Sequence, residues 1–452
     1  MSTLNQLDID HHLHPQTNLR QHEEVGPLII ESGDGPYVVD TDGNRYFEGM
    51  SGLWCASLGF SEKRLADAAH RQMSKLPYQQ TFAHRSSRPV IELAARLLER
   101  APVPMSKVMF QSSGSEAIDT AIKLVWYYQA ASGRPGKRKI IGRRRGYHGT
   151  TVAAASLTGL PNMQTGWGLP LPDMLHVTCP HFYREGRAGE TEQAFSARLV
   201  TELEQLILAE GAQNIGAFFA EPVMGTGGVV VPPQGYFEGV QAVLRKHDIL
   251  FIVDEVICGF GRTGHYWGSQ AFGLVPDMLA CAKGLSSAYQ PISALMLSDT
   301  LYQAIASQTN ALGGFGHGFT YGGHPVAAAV ALETLHLYDE YRILERVAAT
   351  GALLQAGLHQ LAEHPLVGEA RGIGLMGALE LVADKDTRAP FDPQLQVPKR
   401  VTDALQRRGF LLRALGASVL FAPPLISTPA QIGTLLAAVR ECLDETVRGL
   451  HD

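Results

Sequence analysis

The sequence predicts an α/β protein in which a parallel sheet is covered by helices on both faces. Between about residues 61 and 327, short apolar runs alternate with amphipathic helical segments, and this alternation is typical of such a sheet. Several apolar runs end at a polar residue, as the run 215–220 ends at Glu221. Ligands bind beyond the carboxyl ends of parallel strands, so these polar residues are predicted to converge on one crevice.

The 452 residues exceed the usual length of one simple domain. Residues 1–60 are predicted to form an irregular arm followed by turn-punctuated strands, with a strand at 37–39 and a hairpin turn at 42–44. Residues 61–327 are predicted to form a large domain. Residues 328–452 lead through long helices into a smaller α/β region. We expect the two terminal regions to pack together as one small domain.

Composition argues against several classes of protein. The net charge of -6 gives no basic surface for nucleic acid, and the basic cluster 143–145 is short. No apolar run approaches the roughly 18 residues that a membrane helix needs. The five cysteines are scattered without a CxxC pair, which favours reduced thiols in a cytoplasmic protein.

The first fourteen residues are polar and lack the layout of a signal peptide. His11, His12 and His14 could together bind a metal ion. A solvated terminal segment is the more common meaning of such a pattern, so we predict no metal site.

A strand predicted at 108–110 leads into Ser113, Gly114 and Ser115, which precede a helical segment. Small residues at a helix N-terminus leave backbone N–H groups and hydroxyls free to hold a phosphate. Serine is also an ordinary helix-capping residue. The sequence leaves both interpretations open.

Asp254 and Lys283 each follow an apolar run that is predicted to be a buried strand. A buried ion pair between them would be a purely structural arrangement. Alternatively, a lysine in a low-dielectric site loses its proton and becomes a nucleophile toward an aldehyde. An aspartate facing a pyridine nitrogen would keep that nitrogen protonated and make the ring an electron sink. Neither interpretation is excluded by these residues alone.

Taken together, the motifs resemble those of the class III (fold type I) aminotransferases, and within them the amine:pyruvate or ω-transaminases. The resemblance extends from Gly35 to Pro424, and the 29-residue spacing of Asp254 and Lys283 fits it. The most specific passages are Ser113-Gly114-Ser115-Glu116-Ala117, Gly146-Tyr147-His148-Gly149, the segments 219–225 and 254–264, His317-Gly318-Phe319-Thr320 and Arg413-Ala414-Leu415-Gly416.

This resemblance implies a large domain with a mostly parallel seven-stranded sheet between helices, plus a smaller α/β domain built from both chain termini. It implies pyridoxal 5′-phosphate (PLP) as cofactor and a homodimer with shared active sites, or a tetramer formed by two such dimers. The implied reaction moves an amino group from an arylalkyl or linear ω-amine to pyruvate or a related keto acid or aldehyde. A diamine, polyamine or ω-amino acid transaminase is the nearest alternative. A decarboxylase, an aminomutase or a non-catalytic regulator is less favoured.

The resemblance also assigns roles to individual residues. Lys283 would attach the cofactor and shuttle a proton, while Asp254 would pair with the pyridine nitrogen. Tyr147 and Val256 would lie on opposite faces of the ring, and Glu221 would anchor the hydrogen bonds around Asp254. The implied cofactor-binding residues are Ser113, Gly114, Ser115, Tyr147, His148, Glu221, Asp254, Val256, Lys283 and, from the second subunit, Thr320.

On the substrate side, the resemblance implies that Trp54 walls the pocket and that Arg413 grips the carboxylate of a keto acid. The planar guanidinium pairs with a carboxylate through two hydrogen bonds. A core tryptophan and a surface arginine are the structural alternatives. The implied substrate-binding residues are Trp54, Phe82, Tyr147, Thr226 and Arg413.

Four positions depart from the pattern of the family. Ile118 replaces a frequent asparagine, and we expect it to affect only local packing. Gln16, Thr81 and Thr226 stand where related enzymes carry aromatic residues or alanine. These three make the predicted substrate pocket less aromatic and more polar.

Overall fold

The structure is a computed structural model that describes residues 3–451, and three sheets organise this part of the chain. Its strands are β1 (Ile30–Asp34), β2 (Tyr37–Asp40), β3 (Arg45–Glu48), β4 (Lys107–Gln111), β5 (Lys139–Arg143), β6 (Met174–Val177), β7 (Ile215–Ala220), β8 (Leu250–Asp254), β9 (Met278–Cys281), β10 (Ser293–Leu297), β11 (Val367–Ile373), β12 (Met376–Leu381), β13 (Phe410–Leu411), β14 (Arg413–Leu415) and β15 (Ser418–Phe421).

Helices cover the central sheet and link the smaller ones. The α-helices are α1 (Thr3–His11), α2 (Leu19–Val25), α3 (Ser51–Trp54), α4 (Lys63–Lys75), α5 (Arg88–Glu99), α6 (Gly114–Ala131), α7 (Val152–Leu157), α8 (Phe182–Glu185), α9 (Glu192–Glu210), α10 (Tyr236–Lys246), α11 (Gly268–Ala271), α12 (Asp299–Leu312), α13 (Pro325–Glu340), α14 (Ile343–Leu361), α15 (Val397–Arg407) and α16 (Pro429–His451). Short 3-10 turns lie at Pro161–Met163, Ala212–Asn214, Lys283–Leu285 and Pro393–Leu395.

The central sheet has seven strands in the order β4-β10-β9-β8-β7-β5-β6. The strands from β9 to β6 pair in parallel, and only β10 runs antiparallel to its two neighbours. Strands β7, β8 and β9 are buried at every residue, as expected for a sheet with helices on both faces. Along β8, Ile252 belongs to one apolar core and Phe251 and Val253 to the other. The predicted mostly parallel seven-stranded sheet is confirmed.

Two four-stranded sheets lie outside the central one, in the orders β1-β2-β3-β13 and β11-β12-β15-β14. Strand β13 pairs in parallel with β3, with Phe410 opposite Phe47. This pairing joins segments from near both ends of the chain. The division at 60/61 and 327/328 stays a prediction, and its second boundary falls inside α13.

The expectation of an irregular amino-terminal arm is wrong, because α1 and α2 occupy much of it. Neither helix has a buried residue, so the sequence carries no apolar stripe by which to recognise them. Asn18 caps α2 by accepting a hydrogen bond from the backbone N–H of Gln21. Within residues 3–451, no helix is long and apolar enough to span a membrane.

Candidate active site

The carboxyl ends of β4, β5, β7, β8 and β9 open into a cavity of about 350 Å³. Every cofactor residue that was assigned to this subunit lines it, which agrees with the rule for parallel sheets. These residues are Ser113, Gly114, Ser115, Tyr147, His148, Glu221, Asp254, Val256 and Lys283.

One end of the cavity is formed by the N-terminus of α6. The Ser113 hydroxyl accepts a hydrogen bond from the Glu116 N–H at 3.2 Å, so this serine caps the helix as the structural alternative predicted. A Cβ atom on Gly114 would lie 3.1 Å from a methyl group of Val256. Glycine therefore leaves the helix terminus open to the cavity. The 18-residue helix directs its positive end and free N–H groups at this space, which suits a phosphate.

Asp254 also lines the cavity; it is the last residue of β8 and is buried. Its Oδ1 accepts the Val256 N–H at 3.1 Å, and its Oδ2 lies 2.9 Å from Nδ1 of His148. The buried Nε2 of His148 has no hydrogen-bond partner among the described residues. Two contacts thus fix the orientation of the carboxylate.

Lys283 follows β9 and begins a 3-10 turn with a φ of 45°. Non-glycine residues in this region are strained, and such strain concentrates at functional sites. Burial lowers the pKa of Lys283, although the nearby Asp254 opposes this shift. Within residues 3–451, no ion pair joins the two side chains. A lysine with a lowered pKa is available as a neutral nucleophile, so the structure does not favour the buried ion pair.

Glu221 is buried beside the same cavity, and its predicted role in the hydrogen bonds around Asp254 stays a prediction. Its two carboxylate oxygens accept the backbone N–H groups of Tyr147 and Gly225, each at 3.0 Å. Arg143 donates to the Glu221 carbonyl oxygen at 2.6 Å. Burial raises the pKa of Glu221. Glu221 is thus linked to Asp254 through two neighbouring residues. It binds the backbone N–H of Tyr147, and the next residue, His148, contacts Asp254.

The remaining substrate residues lie outside the lining of this cavity. Trp54 is only 3% exposed and belongs to an apolar cluster with Met50 and Ile257, of which Ile257 lines the cavity. Phe82 is 48% exposed and lines a second cavity of about 990 Å³. Their substrate roles stay predictions.

Arg413 and Thr226 are partly buried, at the start of β14 and after β7 respectively. Burial raises the pKa of Tyr147, and the positive charge of Arg413 counteracts that shift, so the two side chains interact electrostatically. Thr320 is exposed, and its carbonyl oxygen accepts a hydrogen bond from Tyr78 at 2.8 Å. The role of Thr320 in a neighbouring subunit stays a prediction.

Several residues that line the cavity, and the buried carboxylate of Glu255 next to Asp254, were not predicted from the sequence. Glu255 is buried and accepts hydrogen bonds from the N–H groups of Gly268 and Ser269, while burial raises its pKa to about 7. Its position next to Asp254 was the only available signal. The missed lining residues are Ser112, Gly149, Ile257, Ala282, Ser286, Ala288, Gln290, Pro291 and Ile292.

This donor set fits PLP. An open helix N-terminus suits the phosphate, a fixed buried carboxylate suits the pyridine nitrogen, and a lysine of lowered pKa suits the aldehyde carbon. All three border the same cavity. The fold and the cavity thus have the features of a PLP-dependent enzyme.

Comparison with known proteins agrees with this assignment. Residues 19–443 match the family described as Aminotransferase class-III. The chain is 46% identical over 441 residues to gamma aminobutyrate transaminase 1, mitochondrial, of Solanum lycopersicum, covering 97% of this chain and 86% of the relative.

Solved structures are also similar. The omega transaminase from Pseudomonas jessenii in complex with PMP is 53% identical, with a TM-score of 0.98 and 99% of both chains covered. A thermostable omega transaminase variant engineered for asymmetric synthesis of enantiopure bulky amines is 52% identical, with a TM-score of 0.97 and 99% of both chains covered. The chain belongs to the class III aminotransferases, and it is a PLP-dependent aminotransferase.

Proposed function

We propose that this aminotransferase is an ω-transaminase, which takes the amino group of an arylalkyl or linear ω-amine and passes it to pyruvate or a related keto acid or aldehyde. The observation that carries the proposal is the likeness to the Pseudomonas jessenii omega transaminase across 99% of both chains. The two half-reactions would alternate at one site in a ping-pong sequence.

The main polar and ring-contacting residues of the cavity have defined tasks in this proposal. Bound PLP supplies an electron sink for the electron pair that remains when the substrate carbon loses a proton. The Nζ of Lys283 would hold the cofactor and carry the proton that leaves the substrate carbon. Asp254, held by His148, would keep a proton on the ring nitrogen. Tyr147 and Val256 would contact the ring, and the N-terminus of α6 would bind the phosphate together with Ser115.

The substrate side rests on Trp54, Phe82 and Arg413. The engineered transaminase variant described above carries replacements of a tryptophan, a phenylalanine and an arginine that are spaced 28 and 331 residues apart. Trp54, Phe82 and Arg413 have the same spacing in this chain. That protein was engineered for bulky amines, which supports a role for the corresponding side chains in substrate size. Thr226 is proposed to border the same space.

An ω-amino acid transaminase is the second candidate, because a relative of 46% identity is named as a gamma aminobutyrate transaminase. Such a substrate carries a carboxylate beyond its amino group, and Arg413 could pair with it. The polar side chains of Gln16, Thr81 and Thr226 also favour a polar substrate end.

The test is a panel of donors and acceptors with purified holoenzyme. Donors are 1-phenylethylamine, a linear diamine, β-alanine and 4-aminobutyrate, and acceptors are pyruvate, 2-oxoglutarate and a neutral aldehyde. Transfer from simple amines to pyruvate, with alanine as coproduct, is the expected result. Activity confined to ω-amino acids would favour the second candidate, and release of carbon dioxide would contradict both.

We further propose a homodimer in which Thr320 of one subunit reaches the phosphate of the other. Thr320→Glu would repel that phosphate, and Lys283→Ala would remove the reactive amine. Consider a mixed dimer with one subunit of each inactive variant. If each active site combines Lys283 of one subunit with Thr320 of the other, one active site of this dimer carries both substitutions and the other carries neither. Activity should then return after subunit exchange, whereas sites contained within single subunits would stay inactive. Because all five cysteines are free, we also propose a reducing, cytoplasmic location.

A further inference from the structure

The amino-terminal helices bring histidines from different segments to one carboxylate. Asp8 lies in α1, His14 in the following loop and His22 in α2. The Nε2 atoms of His14 and His22 lie 2.8 and 3.0 Å from the same oxygen of Asp8, Oδ2. His12 contacts the other oxygen, Oδ1, at 3.2 Å.

We propose that Asp8, His14 and His22, here called the N-terminal histidine cluster, bind a divalent transition-metal ion of the Zn²⁺ class. Imidazole nitrogens and a carboxylate oxygen are ligands that Zn²⁺ accepts, and three protein ligands leave a fourth position for water. The ligand atoms of the cluster all lie within 4.8 Å of one another.

The two nitrogen–oxygen separations of the cluster need only a small adjustment to hold the ion. Ligand atoms on a tetrahedral ion with bonds of about 2.0–2.1 Å are separated by about 3.3 Å. The two nitrogens lie 2.8 and 3.0 Å from the shared oxygen, so these contacts would open by about 0.5 and 0.3 Å. The side chains of Asp8 and His22 are 20% and 12% exposed, whereas that of His12 is 61% exposed. The cluster is therefore partly sheltered, and His12 stands outside it.

Asp8 supplies the carboxylate ligand of the cluster. The ring nitrogens of His14 and His22 already converge on one of its oxygens, Oδ2.

A second group of histidine and carboxylate side chains is already paired with a cation. His181, Glu369 and Glu380 also lie within ligand distance of one another. However, Nη1 of Arg371 lies 2.5 Å from Glu369 and 2.7 Å from Glu380. A guanidinium cation already neutralises these acids, so we propose no metal there.

Binding at the N-terminal histidine cluster would also hold the loop between α1 and α2. That loop carries Gln16, whose Nε2 donates to the sulfur of Met163 at 3.2 Å. The ion would thus fasten the two helices and the loop into one unit. The proposal itself does not depend on the substrate of the enzyme.

The experiment is a Zn²⁺ titration of chelator-treated, dialysed holoenzyme against a chromophoric chelator. We expect one tight site per chain, weakened by about tenfold or more in His22→Ala and in Asp8→Asn, because each loses a direct ligand. The matched control is His11→Ala, since His11 is exposed at the end of α1 and lies outside the cluster. Cofactor absorbance and thermal unfolding report whether each variant is folded.

Equal Zn²⁺ affinity in the native protein and in folded His22→Ala would overturn the proposal, as would equal losses in His11→Ala and His22→Ala. Cobalt substitution gives a second measurement that needs no variant. Co²⁺ in the cluster should show the intense visible absorbance of a four-coordinate site, and Zn²⁺ should remove it. A spectrum of hydrated Co²⁺ alone would show that the three side chains only hydrogen-bond to one another.

Discussion

The cofactor side and the substrate side of this site are assembled in different ways. On the cofactor side, the residues stand at the carboxyl ends of parallel strands of one sheet and line a single cavity. On the substrate side, Trp54 is buried at the end of α3, Phe82 is exposed before α5, and Arg413 begins β14. The first set is positioned by the backbone ladder of one sheet, whereas the second depends on how separate segments pack.

This difference has consequences for how each side responds to substitution. A strand-end residue is held by neighbours that also hold the other cofactor residues, as His148 holds Asp254. Its replacement should therefore affect every reaction of the enzyme equally. A substrate-side residue should instead alter the choice among donors or acceptors. The predictions below test this division.

The largest effect is expected for Lys283→Ala, which removes the nucleophilic amine. Turnover with every donor should fall to the detection limit, and the visible absorbance of covalently attached cofactor should be lost. The matched control is Lys246→Ala, because that lysine forms an exposed ion pair with Glu204 and should retain activity. Borohydride reduction and peptide mapping should place the label on Lys283. Recovery of the label on Lys123 or Lys246 would refute the assignment.

Asp254→Asn should have the next largest effect. The substitution keeps the volume of the side chain but removes the charge that holds a proton on the ring nitrogen. Loss of a charged hydrogen bond of about 1.5–3 kcal/mol corresponds to a roughly ten- to hundredfold change, and loss of the electron sink adds to it. Single-turnover rates of both half-reactions should fall together. A near-normal rate in either half-reaction would show that Asp254 is only structural.

The buried strands of this molecule could be predicted from the sequence, whereas its exposed helices and long-range side-chain contacts could not. Strand ends were located within one residue. Strand β7 begins and ends as its apolar run does, and Asp254, which was predicted to follow its run, is the last residue of β8. Buried runs are a direct signal of central strands. The exposed helices α1 and α2 bury no residue, so no periodic apolar pattern in the sequence indicates them. The contact between His148 and Asp254 joins residues 106 positions apart, and it was not predicted, because no spacing in the sequence signals it.

Arg413→Ala should have a smaller and selective effect. It should reduce kcat/KM for pyruvate by roughly ten- to a hundredfold, the scale of a charge-assisted pair. A neutral aldehyde acceptor, which has no carboxylate, should be nearly unaffected and serves as the internal control. The pKa of Tyr147, which burial already raises, should rise further in this variant, because the charge of Arg413 counteracts that rise in the native protein. Equal losses for both acceptors would place Arg413 among the residues that support the whole site.

The smallest effect concerns the choice of amine donor. Gln16, Thr81 and Thr226 make the predicted pocket less aromatic, so it should stack less well on an arylamine. Their polar groups can meet the far end of a linear diamine or ω-amino acid. With pyruvate fixed, we expect measurable kcat/KM for 1-phenylethylamine and an equal or severalfold higher value for linear ω-amines.

The double variant Thr81→Phe/Thr226→Ala should reverse this order by restoring an aromatic wall and removing one hydroxyl. Lys283 and Asp254 are unchanged in it, so the rate of cofactor attachment provides the control for an intact site. A native enzyme with a strong preference for the arylamine would show that these polar residues do not face the donor. The choice of donor would then depend on Trp54 and Phe82, whose large side chains would limit the size of the substrate.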